Sequence, residues 1–93
     1  MTTIKSLEIS ANLWRDHVGN TYHRVRVTVD GRHDLVSPVT YGYGWQYLCT
    51  AGELLLQAGL AQDADPYDVI RALEEAGVKV AADSRRVSRK RDL

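Results

Sequence analysis

The residues Thr40-Tyr41-Gly42-Tyr43-Gly44-Trp45-Gln46-Tyr47 form the stretch in which a strand-like sequence pattern changes to a helical one. Because glycine adopts the positive φ of sharp turns without steric cost, we interpret the stretch as a strand-to-helix junction. Tyrosine and tryptophan dominate the binding energy of many protein interfaces. The aromatic side chains of the junction are therefore candidate partner contacts: Tyr41, Tyr43, Trp45 and Tyr47.

Upstream of the junction, apolar and polar residues alternate over residues 5–13 and 21–29. This period of two is typical of strands with one solvent-exposed face. In the second segment the valines point inward, and three further partner-binding candidates point outward: Tyr22, Arg24 and Arg26. Asp30-Gly31 predicts a tight hairpin turn. A third strand over 33–41 is then an edge strand or is interrupted at Pro38, which cannot donate to a ladder.

Downstream of the junction, the spacing of apolar residues predicts a helix from about residue 44 or 45 to 58. Its core stripe includes Cys49. Its apolar surface is wide, so we expect the sheet to bury one side of the helix and a second helix or a partner to bury the other. Asp65-Pro66 is typical of a helix start, and Gly77 of a helix end. Residues 78–81 allow a short fourth strand. The sequence thus predicts an α+β, two-layer fold in which a three-stranded antiparallel meander packs on two helices (βββαα).

The size and composition of the chain indicate one domain, since 93 residues suit a single core. We assign this domain to residues 1–82 and a basic C-terminal tail to residues 83–93. A single cysteine excludes an internal disulfide and is typical of a reducing compartment. No apolar run approaches the roughly 20 residues that cross a bilayer. These features predict a cytoplasmic protein without a membrane partner.

Charge is distributed unevenly although the formal net charge is zero. Residues 52–76 carry six acids and one base, whereas residues 77–93 carry six bases and two acids. The acids of the second helix could face a basic groove on a partner or could form an ordinary solvated surface: Asp65, Asp68, Glu74 and Glu75. The bases of the tail, including Arg85 and Arg86, could bind phosphate or an acidic protein surface, or could simply be solvated.

Residue types that carry catalysis are present without the spacing that catalysis requires. His17, His23, His33 and Cys49 show neither CxxC nor HxxxH spacing, which argues against a metal site. A Cys49–His23 pair is not excluded by the sequence, but a cysteine on a core stripe is usually inert. The glycines of the junction match neither GxGxxG nor GxxxxGK[ST]. We expect a protein without enzymatic activity, metal or cofactor.

A short chain with one cysteine, a β-meander, two helices and split charge resembles the small accessory proteins of phages. The opening Met1-Thr2-Thr3-Ile4 through Leu13-Trp14 and the strand Thr21-Tyr22-His23-Arg24-Val25 are similar to phage open reading frames of this size. Among these proteins, the chain most resembles the anti-CRISPR inhibitors of type I surveillance complexes. Several of those inhibitors are strongly acidic DNA mimics, from which this neutral chain departs.

The resemblance implies a stoichiometric inhibitor, monomeric or homodimeric, that binds Cas subunits of a host ribonucleoprotein complex. Such a protein would block target-DNA binding or nuclease recruitment. The alternative is a small regulator that binds nucleic acid directly through the basic tail and the arginines of the second strand. Salt-dependent binding to generic DNA favours the regulator, because released counterions give a steep salt dependence.

Overall fold

The computed structural model describes residues 4–42, 44–61 and 65–93. These residues form five strands and two helices in the order β1 (Ser6–Arg15), β2 (Thr21–Val29), β3 (His33–Val36), β4 (Thr40–Tyr41), α1 (Gln46–Gln57), α2 (Pro66–Glu75) and β5 (Lys79–Arg86). A short 3-10 helix (Lys90–Asp92) follows β5. The predicted α+β, two-layer class is confirmed, with more strands than the three of the meander.

All five strands belong to one sheet. β1 pairs antiparallel with β2, and β2 pairs antiparallel with both β3 and β4 along its other edge. β3 and β4 are therefore the two halves of the predicted third strand, separated by residues 37–39 around Pro38. β5 lies on the far side of β1 and runs parallel to it. The chain reaches that position through α1 and α2, which cross one face of the sheet.

The core lies between the helices and the face of the sheet formed by the predicted inward residues. Leu7, Ile9 and Ala11 of β1 and the valines of β2 are buried. α1 contributes Tyr47, Ala51 and Leu55, and α2 contributes Val69 and Ile70. The two helices pack closely at Gly52, where an added Cβ would overlap the carbonyl oxygen of Pro66. Cys49, predicted on the core stripe, is only half-buried.

Local signals in the sequence fix the turns and the helix ends. Asp30 and Gly31 both have positive φ, and the N–H of Arg32 donates to the carbonyl oxygen of Val29 at 3.0 Å, as in a type I′ turn. The Asp30 carboxylate also accepts hydrogen bonds from the backbone N–H groups of Lys5 and Ser6, at 2.8 and 2.9 Å. The Asp65 carboxylate caps α2 by accepting from the N–H of Tyr67 at 3.1 Å. The predictions for the hairpin and for the start of α2 are confirmed.

The C-terminal region differs most from the prediction. β5 extends to Arg86, so residues 83–86 belong to the sheet and the predicted boundary of the tail at residue 83 is wrong. The strand forms because the backbone of β1 offers a complete row of partners, from Ser6 opposite Lys79 to Leu13 opposite Arg86. Nearly all side chains of β5 are exposed, which removes the alternation that identifies a strand in a sequence.

Candidate functional site

The face of the sheet opposite the helices brings together five of the predicted partner-binding residues. We call it the open face. It carries the outward residues of the strands, in cross-strand rows that the register defines. Within the described ranges, the short segment after β5 is the part of the chain that crosses this face, and the rest of the face is exposed to solvent.

One end of the open face carries a row of three aromatic side chains, which we call the aromatic row: Trp14 of β1, Tyr22 of β2 and Tyr41 of β4. The ring centroids of Trp14 and Tyr22 are 5.9 Å apart and the planes are inclined by 29°, so the two rings are stacked. Tyr41 meets Tyr22 edge to face at 5.5 Å and 66°. Such pairs stabilise each other by about 0.5 to 1.5 kcal/mol beyond their buried area. The row is therefore a preorganised aromatic surface.

Arginines occupy the rows next to the aromatic row. Arg24 and Arg85 flank Asn12 on the neighbouring strands, and Arg26 lies one row further along β2. Arg24 Nε donates to the carbonyl oxygen of Ser37 at 3.3 Å, which positions the guanidinium along the edge of the sheet. We call Arg24, Arg26 and Arg85 the arginine cluster. The far end of the face is acidic, with Glu8 and Asp34 on either side of Thr28.

Residues 87–93 return from the end of β5 across the open face. Val87 N–H donates to the carbonyl oxygen of Leu13 at 2.8 Å, and the Asn12 side chain donates to the carbonyl oxygen of Asp92 at 3.2 Å. A cavity of about 540 Å³ is lined by the arginine cluster, the acidic residue Asp83 and Leu93. A second cavity of about 490 Å³ is lined by the aromatic row, Asp16, His17 and Lys90. The segment adds a cation to the aromatic end of the face.

His23 lies on the opposite side of β2 from Tyr22 and serves the core. Its side chain is 1% exposed, with Nδ1 3.1 Å from the carbonyl oxygen of Gly42 and Nε2 2.7 Å from Thr50 Oγ1. A carbonyl oxygen only accepts, so Nδ1 carries a proton and donates to it. Nε2 and the Thr50 hydroxyl form the second hydrogen bond, and Thr50 Oγ1 also lies 3.4 Å from the carbonyl oxygen of Gln46. Both ring nitrogens are thus engaged in binding the strand-to-helix junction to α1.

The described residues contain no arrangement typical of catalysis or of metal binding. Burial raises the pKa of the Cys49 thiol, and the carboxylates of Glu53 and Asp65 raise it further, so the thiolate nucleophile is disfavoured. His23 bonds to Thr50, which leaves the Cys49–His23 pair without support. No group of three or more histidine, cysteine or acidic side chains capable of holding a metal occurs in the parts of the chain that the structure describes.

The structure separates the predicted partner-binding residues into several groups. Tyr22, Tyr41, Arg24, Arg26 and Arg85 share the open face. Arg86 faces the opposite side of β5, beside Leu13 and Thr21. The acids of α2, among which we count its N-cap residue Asp65, are exposed in the helical layer, away from the open face: Asp65, Asp68, Glu74 and Glu75.

The aromatic residues of the junction also have different environments. Trp45 is 84% exposed at the start of α1, whereas Tyr41 is part of the aromatic row. The prediction for Tyr47 is wrong, because this side chain is 8% exposed and packs in the core on the inner surface of α1. Tyr43 lies outside the described residues.

Sequence reasoning missed Trp14, Asn12 and Lys90 as members of the site. Trp14 follows the last inward residue assigned to the first strand, so the alternation already placed it on the outward side. Its contact with Tyr22 depends on the register across the turn at residues 16–20, which brings the two residues directly opposite each other. The sequence places Lys90 in the predicted tail, whereas the chain returns over the face and brings it to the aromatic row.

Neither α1 nor α2 is long and apolar enough to span a membrane, and the described ranges contain no other helix that is. Comparison with known proteins found no protein-family model, no curated protein and no solved structure that matches this chain.

Proposed function

We propose that this protein has no enzymatic activity and binds nucleic acid through the open face of its sheet. The observation that carries the proposal is the meeting of the arginine cluster and the aromatic row on one solvent-exposed surface. The three arginines come from two strands distant in the sequence, β2 and β5. Arginine is well suited to bind phosphate because its guanidinium group can donate two parallel hydrogen bonds.

The fold supports this use of the surface. The core is complete without a ligand, because the buried side-chain nitrogen and oxygen atoms of the described residues have hydrogen-bond partners within the protein. The three arginines of the open face lie outside this core and are exposed, and Arg24 is positioned by its hydrogen bond to Ser37. Adjacent strands lie about 4.8 Å apart, so the Cα atoms of Arg24 and Arg85, one strand on each side of β1, are about 10 Å apart. Such a spacing lets the pair contact separate phosphates of one nucleic-acid backbone.

The test is the salt dependence of binding to a mixed-sequence DNA oligonucleotide. We expect measurable affinity at 50 mM salt that falls steeply toward 200 mM, because bound phosphates release counterions. The double variant Arg24→Gln/Arg85→Gln should bind more weakly and lose about 0.7 to 0.9 from the salt slope for each contact removed. The matched control is Arg32→Gln/Arg71→Gln, which removes two exposed arginines outside the open face. Absence of binding at low salt, or equal slopes for both double variants, would refute the proposal.

The second candidate is inhibition of a type I CRISPR-Cas surveillance complex in the host cytoplasm, as the resemblance to anti-CRISPR proteins implies. The exposure of all four acids of α2 supports it, since they could contact a basic nucleic-acid channel of the complex. A stable assembly with the purified complex, weakened by Glu74→Gln/Glu75→Gln and accompanied by no salt-dependent binding to the free oligonucleotide, would favour this inhibitor over the nucleic-acid binder.

A further inference from the structure

The aromatic row is exposed although aromatic side chains of a small domain usually belong to its core. Tyr41 is 58% exposed, and Trp14 and Tyr22 are half-buried against each other. The core of the described chain lies on the opposite side of the sheet, where His23 and Val25 are almost completely buried. The three rings therefore contribute to the surface of the protein and contact one another there. A ligand that covered their remaining exposed area would gain the free energy of apolar burial.

The cavity at the aromatic row has the dimensions and lining of a binding site for a flat, partly apolar group. Its volume is about 490 Å³, within the range of ordinary small-ligand sites. Trp14, Tyr22 and Tyr41 form its aromatic wall, and Val39 adds an apolar surface. Every nucleobase has a π-face that can stack on such rings, whatever its sequence.

The charges around the cavity distinguish between two kinds of ligand that aromatic side chains bind, flat nucleobases and cationic ammonium groups. An aromatic surface also binds methylated ammonium groups through cation–π attraction. Here the Lys90 ammonium and the Asp16 carboxylate line the same cavity, and the next row carries two more cations, Arg24 and Arg85. The Asp16 carboxylate accepts hydrogen bonds from two backbone N–H groups of its own turn. The three cations outnumber this carboxylate, so together they disfavour a cationic ligand and favour an anionic one. A ligand that combines flat π-faces with negative charge is a nucleic acid with unpaired bases.

The geometry therefore leads us to propose that the open face binds single-stranded nucleic acid, with bases stacked on Trp14, Tyr22 and Tyr41 and phosphates held by Arg24, Arg85 and Lys90. A duplex keeps its bases stacked internally and offers only its backbone to a sheet surface, whereas unpaired bases can turn toward the rings. This inference rests on the proposed function and adds the class of nucleic acid and the site of its bases.

The experiment compares three labelled ligands by fluorescence anisotropy: a single-stranded oligonucleotide, an abasic strand of the same length, and the corresponding duplex. Stacking on aromatic side chains contributes about 1 to 3 kcal/mol per base, and 1.4 kcal/mol corresponds to a factor of ten in affinity. We expect the single strand to bind at least tenfold more tightly than the abasic strand or the duplex.

The variant Tyr41→Leu should lose about tenfold of the affinity for the single strand and leave the affinity for the abasic strand unchanged. Tyr41 is suitable because it is largely exposed, and circular dichroism with thermal unfolding verifies that the variant folds. The matched control is Trp45→Leu, which removes an even more exposed aromatic side chain outside the sheet and should bind like the wild type.

The outcomes separate this inference from the proposed function. Equal affinity for all three ligands, with the arginine variants still weakened, would overturn base stacking and leave the general nucleic-acid proposal standing. Absence of binding to every ligand would overturn both. Loss of binding to a purified ribonucleoprotein in Tyr41→Leu, without binding of the free oligonucleotide by the wild type, would overturn the inference and make the aromatic row a protein contact.

Discussion

The two faces of the sheet differ most clearly at the adjacent residues Tyr22 and His23 of β2. His23 points toward α1, is almost completely buried and engages both ring nitrogens in hydrogen bonds. Tyr22 points to the open face and stacks on Trp14. On the covered face the polar side chain of His23 is thus hydrogen-bonded within the protein, whereas the open face presents aromatic and cationic side chains to solvent. The residues of the covered face are explained by folding, whereas those of the open face carry the proposal of a ligand.

The first prediction tests how closely the covered face is packed. Gly52→Ala should lower the free energy of unfolding by about 3 kcal/mol, because the added methyl group meets the Pro66 carbonyl and forces α2 away from α1. Helix propensity alone predicts the opposite sign, since alanine favours a helix over glycine by about 1 kcal/mol. Urea unfolding decides between the two effects. An increase in stability would mean that the helices are not in contact at this position.

The covered face was also the more predictable of the two. Alternation identified the inward residues of β1 and β2, and Asp65-Pro66 identified the start of α2, because burial and capping leave local patterns in the sequence. Gly52 lies within the predicted first helix, yet its contact with Pro66 follows from the crossing of two helices, which no local pattern encodes. Tyr47 illustrates the same limit, since a tyrosine near a junction suits a core and an interface equally well.

The second prediction contrasts a buried polar residue with a neighbour on the open face. His23→Leu should lower the free energy of unfolding by about 2 kcal/mol, because the carbonyl oxygen of Gly42 loses its side-chain donor and the Thr50 hydroxyl keeps only its longer contact with the Gln46 carbonyl oxygen. Arg26→Met on the open face should change it by less than about 0.5 kcal/mol. Thermal and urea unfolding of both variants provide the comparison. Similar losses would contradict the division of roles between the faces.

The open face was predicted only in part. Tyr22, Arg24 and Arg26 were identified because they alternate with the valines of β2. Trp14 and Arg85 join them through pairing with residues that are distant in the chain or lie across a turn. Parallel pairing of β5 with β1 has no local signal, since the intervening helices bring the strand back and both of its faces are exposed. Long-range pairing therefore limits what a single sequence reveals about this site.

The last prediction concerns Asp30, a carboxylate at the hairpin turn that stabilises the sheet. Hydrogen bonds from the N–H groups of Ser6 and Lys5 lower its pKa below the usual value of 3.8. A carboxyl group whose pKa falls on folding stabilises the folded state fully above its unfolded pKa, and the contribution is lost as the pH drops through the folded value. Asp30→Asn removes the charge and preserves the turn, because asparagine accepts positive φ. Urea unfolding at pH 6 and at pH 2 should show the variant to be less stable at pH 6 and nearly equal to the wild type at pH 2. A difference that is the same at both values would mean that the charge of Asp30 contributes nothing to the stability of the sheet.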